Sequence, residues 1–377
     1  MIEAQDLPQP DRVEGAPHPR ETMRLRGQAE AEAAFLEAYT SGRLHHAWLL
    51  TGPRGVGKAT LAWRIARFLL TTEEGNGGGL FGDVPPAPTS LDPPDAHPAL
   101  QRLLAIAEPR LFLLRRAWDS DKERLKSVIT VDEVRKLKRF FELSAADGGR
   151  RVVIVDAADE MNTNAANALL KLLEEPPSDC VMLLVSHQPS ALLPTIRSRC
   201  RTLRCRTLSP KDMAGAITAA AGEVHADPVM LAELSGGSVG EALRLLKLDG
   251  GKLYGHLVSI LGEMPGMDRQ RAIALAETAA GRGAEARFDL LIRLVTMMLA
   301  RLARTGAVGP PPEAAPGEAE TLARLCTGPE AARGWAELEQ ELSDRMRHGQ
   351  AVNLDPAALI LDTMLRINDR AARLAAG

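Results

Sequence analysis

The chain has 377 residues, of which 45% are apolar and 25% are charged, and its formal net charge is -3. This length allows two or three domains with separate cores, and the charge excludes a protein that holds nucleic acid by bulk positive charge alone. Aromatic residues make up only 3% of the chain, which argues against a single-strand-binding surface built on base stacking.

The cysteines and the apolar segments indicate which cellular compartment to expect. The four cysteines are scattered without a C-x-x-C pair, so the sequence indicates neither a zinc ribbon nor a disulfide framework. The first twenty residues lack the apolar core of a signal peptide, and no stretch approaches the roughly 20 apolar residues of a membrane-spanning helix. We therefore expect a cytoplasmic protein without a membrane role.

The N-terminal part of the chain leads into a glycine-rich loop. Composition predicts a flexible tail over 1–22, helical spacing predicts a helix through 31–38, and residues 46–51 suit a buried parallel strand. There follows a helix that runs to about residue 70 and opens with Gly52-Pro53-Arg54-Gly55-Val56-Gly57-Lys58-Ala59-Thr60. Strand, glycine-rich loop and helix form the context that a phosphate-binding loop (P-loop) requires.

Alternating strands and helices continue to about residue 207. Residues 71–98 are dense in glycine and proline, which predicts a long surface loop that we expect to be disordered. Thr130-Val131-Asp132-Glu133 is a capping box that starts a helix ending near residue 144. Four further strands are expected at 110–114, 152–156, 181–185 and 200–203, and another helix at 164–175. This alternation predicts an α/β domain with a parallel sheet over 23–207.

The rest of the sequence predicts only helices. Residues 208–250 are expected to form a small helical lid, in which Ser209-Pro210 and Asp227-Pro228 each mark a helix start. Residues 251–377 are expected to form an all-helical domain with a Pro/Gly-rich loop near 306–317. Its helices are predicted near 253–263, 268–280, 284–304, 330–347 and 355–373.

The P-loop pattern is complete through its lysine and then fails. Backbone N–H groups around Gly52, Gly55 and Gly57 would cradle phosphates, and Lys58 would reach the β and γ phosphates. The next position should carry the Ser or Thr hydroxyl that holds magnesium, but it is alanine. Thr60 lies about 100° further round the helix, given roughly 3.6 residues per turn, so it is a poor substitute. Nucleotide binding remains open, and hydrolysis is not expected.

The strand predicted at 152–156 shows a second loss. Asp156 stands at its carboxyl end, where it could hold magnesium through water. The following position is Ala157, which cannot activate an attacking water, and Glu160 is expected to point elsewhere. The alternative is a core strand with a capping aspartate, but the nearby P-loop makes this interpretation weaker.

One of the four arginines between residues 197 and 204 is a candidate for action on a neighbouring molecule. Arg199 could cap a strand end or form a surface ion pair, and composition favours that interpretation. It could instead be an arginine finger, which neutralises charge on a transferring phosphoryl group and can come from an adjacent subunit. Composition alone does not decide between the two.

Three segments resemble the AAA+ clamp-loader family. They are residues 42–55, residues 164–177, which read NAANALLKLLEEPP, and residues 192–200. The resemblance implies an AAA+ P-loop domain, a helical lid and a helical C-terminal collar that packs with other subunits. Ser198-Arg199-Cys200 matches the family's SRC sequence, which implies that Arg199 reaches the ATP of the adjacent motor subunit.

Departures from the family favour a subunit without its own motor activity. Ala59 and Ala157 replace hydrolytic residues of the family, and Gly240 replaces the sensor arginine of its Gly-Ser-x-Arg segment. Arg244 is expected to be a surface residue. Many relatives carry a four-cysteine zinc module after the P-loop helix, whereas residues 71–98 contain no cysteine, so we expect no zinc.

The sequence therefore predicts a clamp-loader subunit with no intrinsic ATPase activity and no required cofactor, although ATP could bind without hydrolysis. The expected partners are motor ATPase and delta-type subunits, and through them the sliding clamp and primed DNA. Two alternatives stay open: an active clamp-loader motor ATPase, and a nucleotide-responsive scaffold outside replication in which Arg199 is structural.

Overall fold

The computed structural model describes residues 9–13, 15–72, 87–94, 97–143, 149–281 and 283–376. The chain divides into two compact units. The first comprises Met1–Leu208 with Thr218–Gly222 and Ser238–Gly240, and the second comprises Ser209–Ile217, Glu223–Gly237 and Glu241–Gly377. The segment predicted as a lid, 208–250, is thus divided between the two units.

A parallel five-stranded sheet in the order β2-β5-β6-β1-β7 forms the centre of the first unit. The short strands β3 and β4 pair with each other antiparallel. The strands are β1 Ala47–Thr51, β2 Leu111–Arg115, β3 Trp118–Asp119, β4 Arg124–Leu125, β5 Arg151–Asp156, β6 Cys180–Ser186 and β7 Arg201–Arg204. Every residue of β6 is buried, because helices cover both faces of a parallel sheet. The α/β prediction is confirmed.

Six helices accompany this sheet: α1 Ala29–Thr40, α2 Lys58–Thr71, α3 Pro98–Leu104, α4 Val131–Leu143, α5 Thr163–Glu174 and α6 Pro194–Ser198. Asn162 caps α5 by accepting a hydrogen bond from Ala165 N at 2.9 Å, and the helix ends just before Pro176. The sequence did not predict α3 and α6, because helices of seven and five residues are too short for a clear periodic pattern.

The remaining helices confirm the all-helical prediction for the C-terminal part. They are α7 Pro210–Ala221, α8 Pro228–Ser235, α9 Val239–Lys247, α10 Gly250–Gly262, α11 Arg269–Glu277, α12 Glu285–Val308, α13 Glu318–Leu325, α14 Pro329–Ala351 and α15 Pro356–Ala376. Leucines of α8 and α9 share one buried core with α10 to α15. No helix in the described ranges has the length and hydropathy to cross a membrane.

A buried ionic cluster lies in the core of the second unit. Glu318, 1% exposed, accepts hydrogen bonds from Arg301 at 2.7 and 3.0 Å, from Ala314 N at 2.6 Å and from the Tyr254 hydroxyl at 2.5 Å. Arg301 also donates to Glu233 and to a carbonyl of the Pro/Gly-rich loop. The cluster therefore ties that loop to α10 and α12.

Two segments predicted to be irregular, the N-terminal tail and the loop 71–98, are described by the structure to different extents. Residues 9–13 and 15–22, within the predicted flexible tail, make specific contacts with the first unit, which composition did not indicate. Arg67 on α2 donates to the carbonyl oxygens of Arg20 and Thr22 at 2.7 and 2.8 Å. The predicted loop 71–98 lies mostly outside the described residues, and so does the region on which the zinc expectation rests.

Candidate nucleotide site and arginine finger

The glycine-rich loop joins β1 to α2 and needs glycine at each of three positions. Gly52, Gly55 and Gly57 have φ values of 140°, 77° and 100°, which side chains rarely adopt. A Cβ atom at Gly52 would lie 2.3 Å from the carbonyl oxygen of Cys205, and one at Gly55 would lie 2.2 Å from Ser238 Oγ. The loop therefore keeps the tight backbone that a P-loop requires.

Lys58 is the first residue of α2, and its side chain folds back over the loop. It is 2% exposed, and its Nζ donates to the carbonyl oxygens of Gly52 at 2.7 Å and Pro53 at 2.5 Å. Burial lowers the pKa of Lys58 to about 8, although nearby acidic groups including Asp156 oppose the shift. A phosphate bound at the loop would exchange with these two hydrogen bonds.

Asp156 ends β5 and lies between β2 and β6, where it is the register partner of Arg115 and Val185. It is 9% exposed, and burial raises its pKa to about 7. The negative charges of Asp11 and Glu160 add to this shift. The strand therefore ends in a carboxylate that is only partly ionised near neutral pH.

Glu160, which is expected to point elsewhere than the water-activating position after Asp156, contacts two arginines near the loop. Its carboxylate lies 3.6 Å from Arg54 of the P-loop and 2.7 Å from Arg116. The reason is a short 3₁₀ turn over Ala158–Glu160, which brings the chain back along the carboxyl edge of the sheet. Ala157, in contrast, is 3% exposed and brings no functional group to the site.

Two polar residues at the end of β6 also belong to this edge, and the sequence analysis missed them. Among the described residues, neither Ser186 Oγ nor His187 Nδ1 has a hydrogen-bond partner, although both atoms are buried. Burial, assisted by the charge of Lys58, lowers the pKa of His187 to about 4, so its ring is neutral at pH 7. The available signal was their place directly after a buried strand of a parallel sheet, where ligands bind.

These residues suit the phosphate groups of a magnesium nucleotide, but they do not include the hydroxyl group that would bind its magnesium ion. The loop amides at the start of α2 and the Lys58 ammonium suit phosphate oxygens. Ala59 has no hydroxyl for magnesium, and Thr60, half-buried, is one position further round α2. In the described part of the chain, no three acidic, histidine or cysteine side chains group as a metal site. The loop therefore offers backbone amides and an ammonium group that suit phosphate oxygens, and the position after Lys58 has no hydroxyl group.

Arg199 lies at the C-terminal end of α6, immediately before β7. Its Nη2 is 2.8 Å from Glu174 Oε1, and its Nη1 donates to the carbonyl oxygen of Thr195 at 3.0 Å. The side chain is 36% exposed. These contacts, with a third to Ser198 Oγ at 3.5 Å, hold the guanidinium at the protein surface, where a further anion can approach it.

The parallel register places Arg199 and the P-loop at opposite ends of β1. Trp48 pairs with Arg201 and Thr51 with Arg204, so the chain before β7 lies at the amino end of β1. The P-loop follows the carboxyl end of β1. Three residues of strand, about 10 Å, separate these ends. Arg199 and the P-loop thus lie at opposite edges of the sheet.

Glu174, the ion-pair partner of Arg199, lies within the segment 164–177, but the sequence alone gives it no role. It is the last residue of α5, and the preceding Leu173 carbonyl lies 3.1 Å from His46 Nε2, just before β1. The helix therefore returns to the amino edge of the sheet, where Glu174 meets Arg199. The sequence places Glu174 in the run Leu172-Leu173-Glu174-Glu175 before the two prolines, but only the tertiary structure shows that it pairs with Arg199.

The segment that lacks the sensor arginine lies against the P-loop. Val239 N donates to the Gly55 carbonyl at 3.0 Å, and Gly240 has no side chain to offer a phosphate. Arg244 is 36% exposed in the second unit, where it donates to the Ala286 carbonyl at 3.3 Å. The prediction of a surface role for Arg244 is confirmed.

The parallel sheet, the P-loop after β1 and the helices that follow define a P-loop α/β domain with an all-helical C-terminal part. Residues 27–209 match the family described as DNA polymerase III, delta subunit. Proteins that are similar over this part of the chain are named DNA polymerase III subunit delta' or DNA polymerase III subunit gamma/tau.

The relatives align over only part of their length. The Pseudomonas aeruginosa delta' subunit is 44% identical over 160 residues, which cover 42% of this chain and 43% of the relative. The Escherichia coli delta' subunit is 32% identical over 224 residues, or 57% and 58% of the two chains. The gamma/tau subunit of Mycobacterium tuberculosis H37Rv is 32% identical over 190 residues, 50% of this chain and 29% of the relative. The chain thus spans about half the length of the delta' relatives that it matches.

Proposed function

We propose that this protein is a non-motor subunit of a replicative clamp loader that supplies Arg199 to the ATP site of a neighbouring subunit. Arg199 stabilises the charge that develops on the transferred phosphoryl group, as an arginine finger does. The subunit completes a ring that loads a sliding clamp on primed DNA. The names of its relatives, all subunits of DNA polymerase III, support this assignment.

The observation that carries the proposal is the position of Arg199 at the amino edge of the sheet, opposite the P-loop. A finger at this edge has no phosphate to act on within its own chain. Its contacts with Glu174, Thr195 and Ser198 orient the guanidinium before a neighbour arrives, which reduces the entropy lost when it binds.

The composition of the chain's own site supports a non-motor role. Ala59 removes the magnesium hydroxyl and Ala157 removes the water-activating carboxylate. The phosphate-cradling part, including Lys58, remains. We infer that the P-loop holds or exchanges a nucleotide without turning it over.

The helical second unit supplies the assembly surface in this proposal. Its helices α10 to α15 form a continuous apolar core, which makes it a stable platform for packing against other subunits. The partners are motor ATPase and delta-type subunits, and contact with the clamp and primed DNA occurs through the assembly.

The direct test is reconstitution with the partner subunits and an Arg199→Ala variant. In an assembly where only the adjacent ATP site is active, single-turnover hydrolysis should fall by about 10³-fold or more. Arg197→Ala is the matched control, because Arg197 is an exposed arginine of the same short helix. Assembly of each variant is checked by size-exclusion chromatography.

Unchanged hydrolysis with Arg199→Ala in an intact assembly contradicts the proposal and supports the scaffold alternative. The motor alternative is tested on the isolated chain, which should show no steady-state ATP turnover above background. Turnover at rates comparable to a complete AAA+ motor would establish the motor function instead.

A further inference from the structure

An N-terminal strap, defined as residues 9–13 and 15–28, reaches the carboxyl edge of the sheet beside the P-loop. Its Asp11 lies 2.8 Å from Arg115 Nη1 and 3.1 Å from His18 Nε2. Arg115 ends β2 and is the register partner of Asp156. The strap therefore places a carboxylate next to the end of β5, where the magnesium-binding aspartate of an active P-loop site would stand.

The other end of the strap is attached to the P-loop itself. Gln28 Nε2 donates to the Val56 carbonyl at 3.0 Å and to the Arg206 carbonyl at 2.7 Å. Leu25 packs so closely that a Cβ atom at Gly57 would lie 2.7 Å from its Cδ1. The strap thus contacts the site at two separate points.

The Asp11 contacts with His18 and Arg115 are buried. The side chain of Asp11 is 4% exposed and that of His18 is 1% exposed, with the His18 ring edge-on to Trp63 of α2 at 6.1 Å. Burial alone would raise the pKa of Asp11, but His18 and Arg115 outweigh it and the pKa is lowered. Asp11 is therefore an ionised carboxylate that holds Arg115.

We propose that the strap competes with a nucleoside triphosphate at the P-loop: Asp11 occupies Arg115 when the strap is closed, and a bound triphosphate releases it. Residues 9–13 and 15–22 then detach from the edge of the sheet, and the Arg115 guanidinium becomes free to pair with the phosphate groups. The strap acts as an internal anionic substitute that sets the nucleotide affinity of the chain.

The competition follows from the charges at this edge. Asp11, Asp156 and Glu160 already place three carboxyl groups near one another, as the raised pKa of Asp156 reflects. A triphosphate adds several negative charges, and like charges a few ångströms apart disfavour each other. Arg115 cannot pair fully with Asp11 and with a phosphate group at the same time. The strap-closed and strap-detached states therefore have different affinities for nucleotide, which is the condition for coupling.

The test uses the full chain and Asp11→Asn, which keeps the shape of the side chain and removes its charge. Binding of N-methylanthraniloyl-ATP with Mg²⁺ is measured by fluorescence anisotropy. We expect the variant to bind at least about fivefold more tightly, at the lower end of typical coupling between sites. Asp132→Asn is the matched control, because Asp132 also pairs with an arginine, Arg135, but on exposed α4.

A second measurement on the unmodified chain does not depend on the folding of any variant. Hydrogen exchange should become faster in the strap when ATP is added, notably at the amides of Glu21 and Thr22, which bond to the His18 carbonyl at 2.8 and 3.2 Å. Equal affinities for both chains, slower exchange with ATP, or no binding by either chain would overturn the proposal. None of these results bears on the action of Arg199 at a neighbouring site.

Discussion

Replacing Asp156 by asparagine should stabilise the first unit more at pH 8 than at pH 5. Burial, assisted by the charges of Asp11 and Glu160, raises the native pKa of Asp156 from 3.8 to about 7. The native state therefore retains a proton that the unfolded chain loses between these two values. Stability falls as pH rises through this window, because ionisation is easier in the unfolded chain.

The size of the effect follows from the shift. A change of about three pKa units, at about 1.4 kcal/mol per unit, corresponds to about 4 kcal/mol above pH 7. Asparagine cannot ionise, so the variant lacks this loss. About 1.6 kcal/mol of this loss has already occurred at pH 5, so the stability of the variant relative to the unmodified chain should rise by about 2.5 kcal/mol between pH 5 and pH 8.

Hydrogen exchange of the β5 amides provides the assay, because it reports opening of the first unit separately from the second. Opening free energies are compared at pH 5 and pH 8, after correction for the intrinsic exchange rates. Asp132→Asn, an exposed control, should change stability by less than about 0.5 kcal/mol at both pH values. The reasoning is refuted if Asp156→Asn shows the same stability difference at pH 5 as at pH 8.

The remaining predictions concern two ion pairs of very different burial. Glu174→Gln should slow single-turnover hydrolysis at the neighbouring site by about two- to fivefold, because it weakens an exposed pair that orients Arg199. A rate equal to or above that of the unmodified assembly would exclude an orienting role. Glu318→Gln should destabilise the second unit by about 3–5 kcal/mol in urea unfolding, since it leaves Arg301 buried and incompletely paired. Glu263→Gln, which weakens an exposed pair, should cost less than about 1 kcal/mol, and similar losses for both variants would contradict the argument.

The glycine-rich loop keeps the features that suit phosphate groups, while two positions near it carry apolar side chains. The three loop glycines and Lys58 preserve the cradle, whereas Ala59 and Ala157 have apolar side chains. Asp156 persists as a buried carboxyl group with a raised pKa. Such a group is consistent with a functional requirement, because stability alone would favour an uncharged residue.

Local patterns in the sequence were sufficient to predict the buried strands and the longer helices. The buried strands, the P-loop before α2 and the long C-terminal helices all follow from local signals: apolar runs, glycine spacing and caps. The resemblance of Ser198-Arg199-Cys200 to the SRC sequence of the clamp-loader family made Arg199 a candidate arginine finger. The short helices α3, α6 and α13 were not predicted, because elements of five to eight residues have little periodicity.

The candidate contacts of the site depended on the tertiary structure. Glu174 and Arg199 are 25 positions apart, and Asp11 and Arg115 are separated by 104, so no local pattern links them. The parallel register of β1 and β7 placed Arg199 opposite its own P-loop. A single sequence encodes which residues are present and their local periodicity, but contacts between distant positions arise only when the sheet order brings strand ends together.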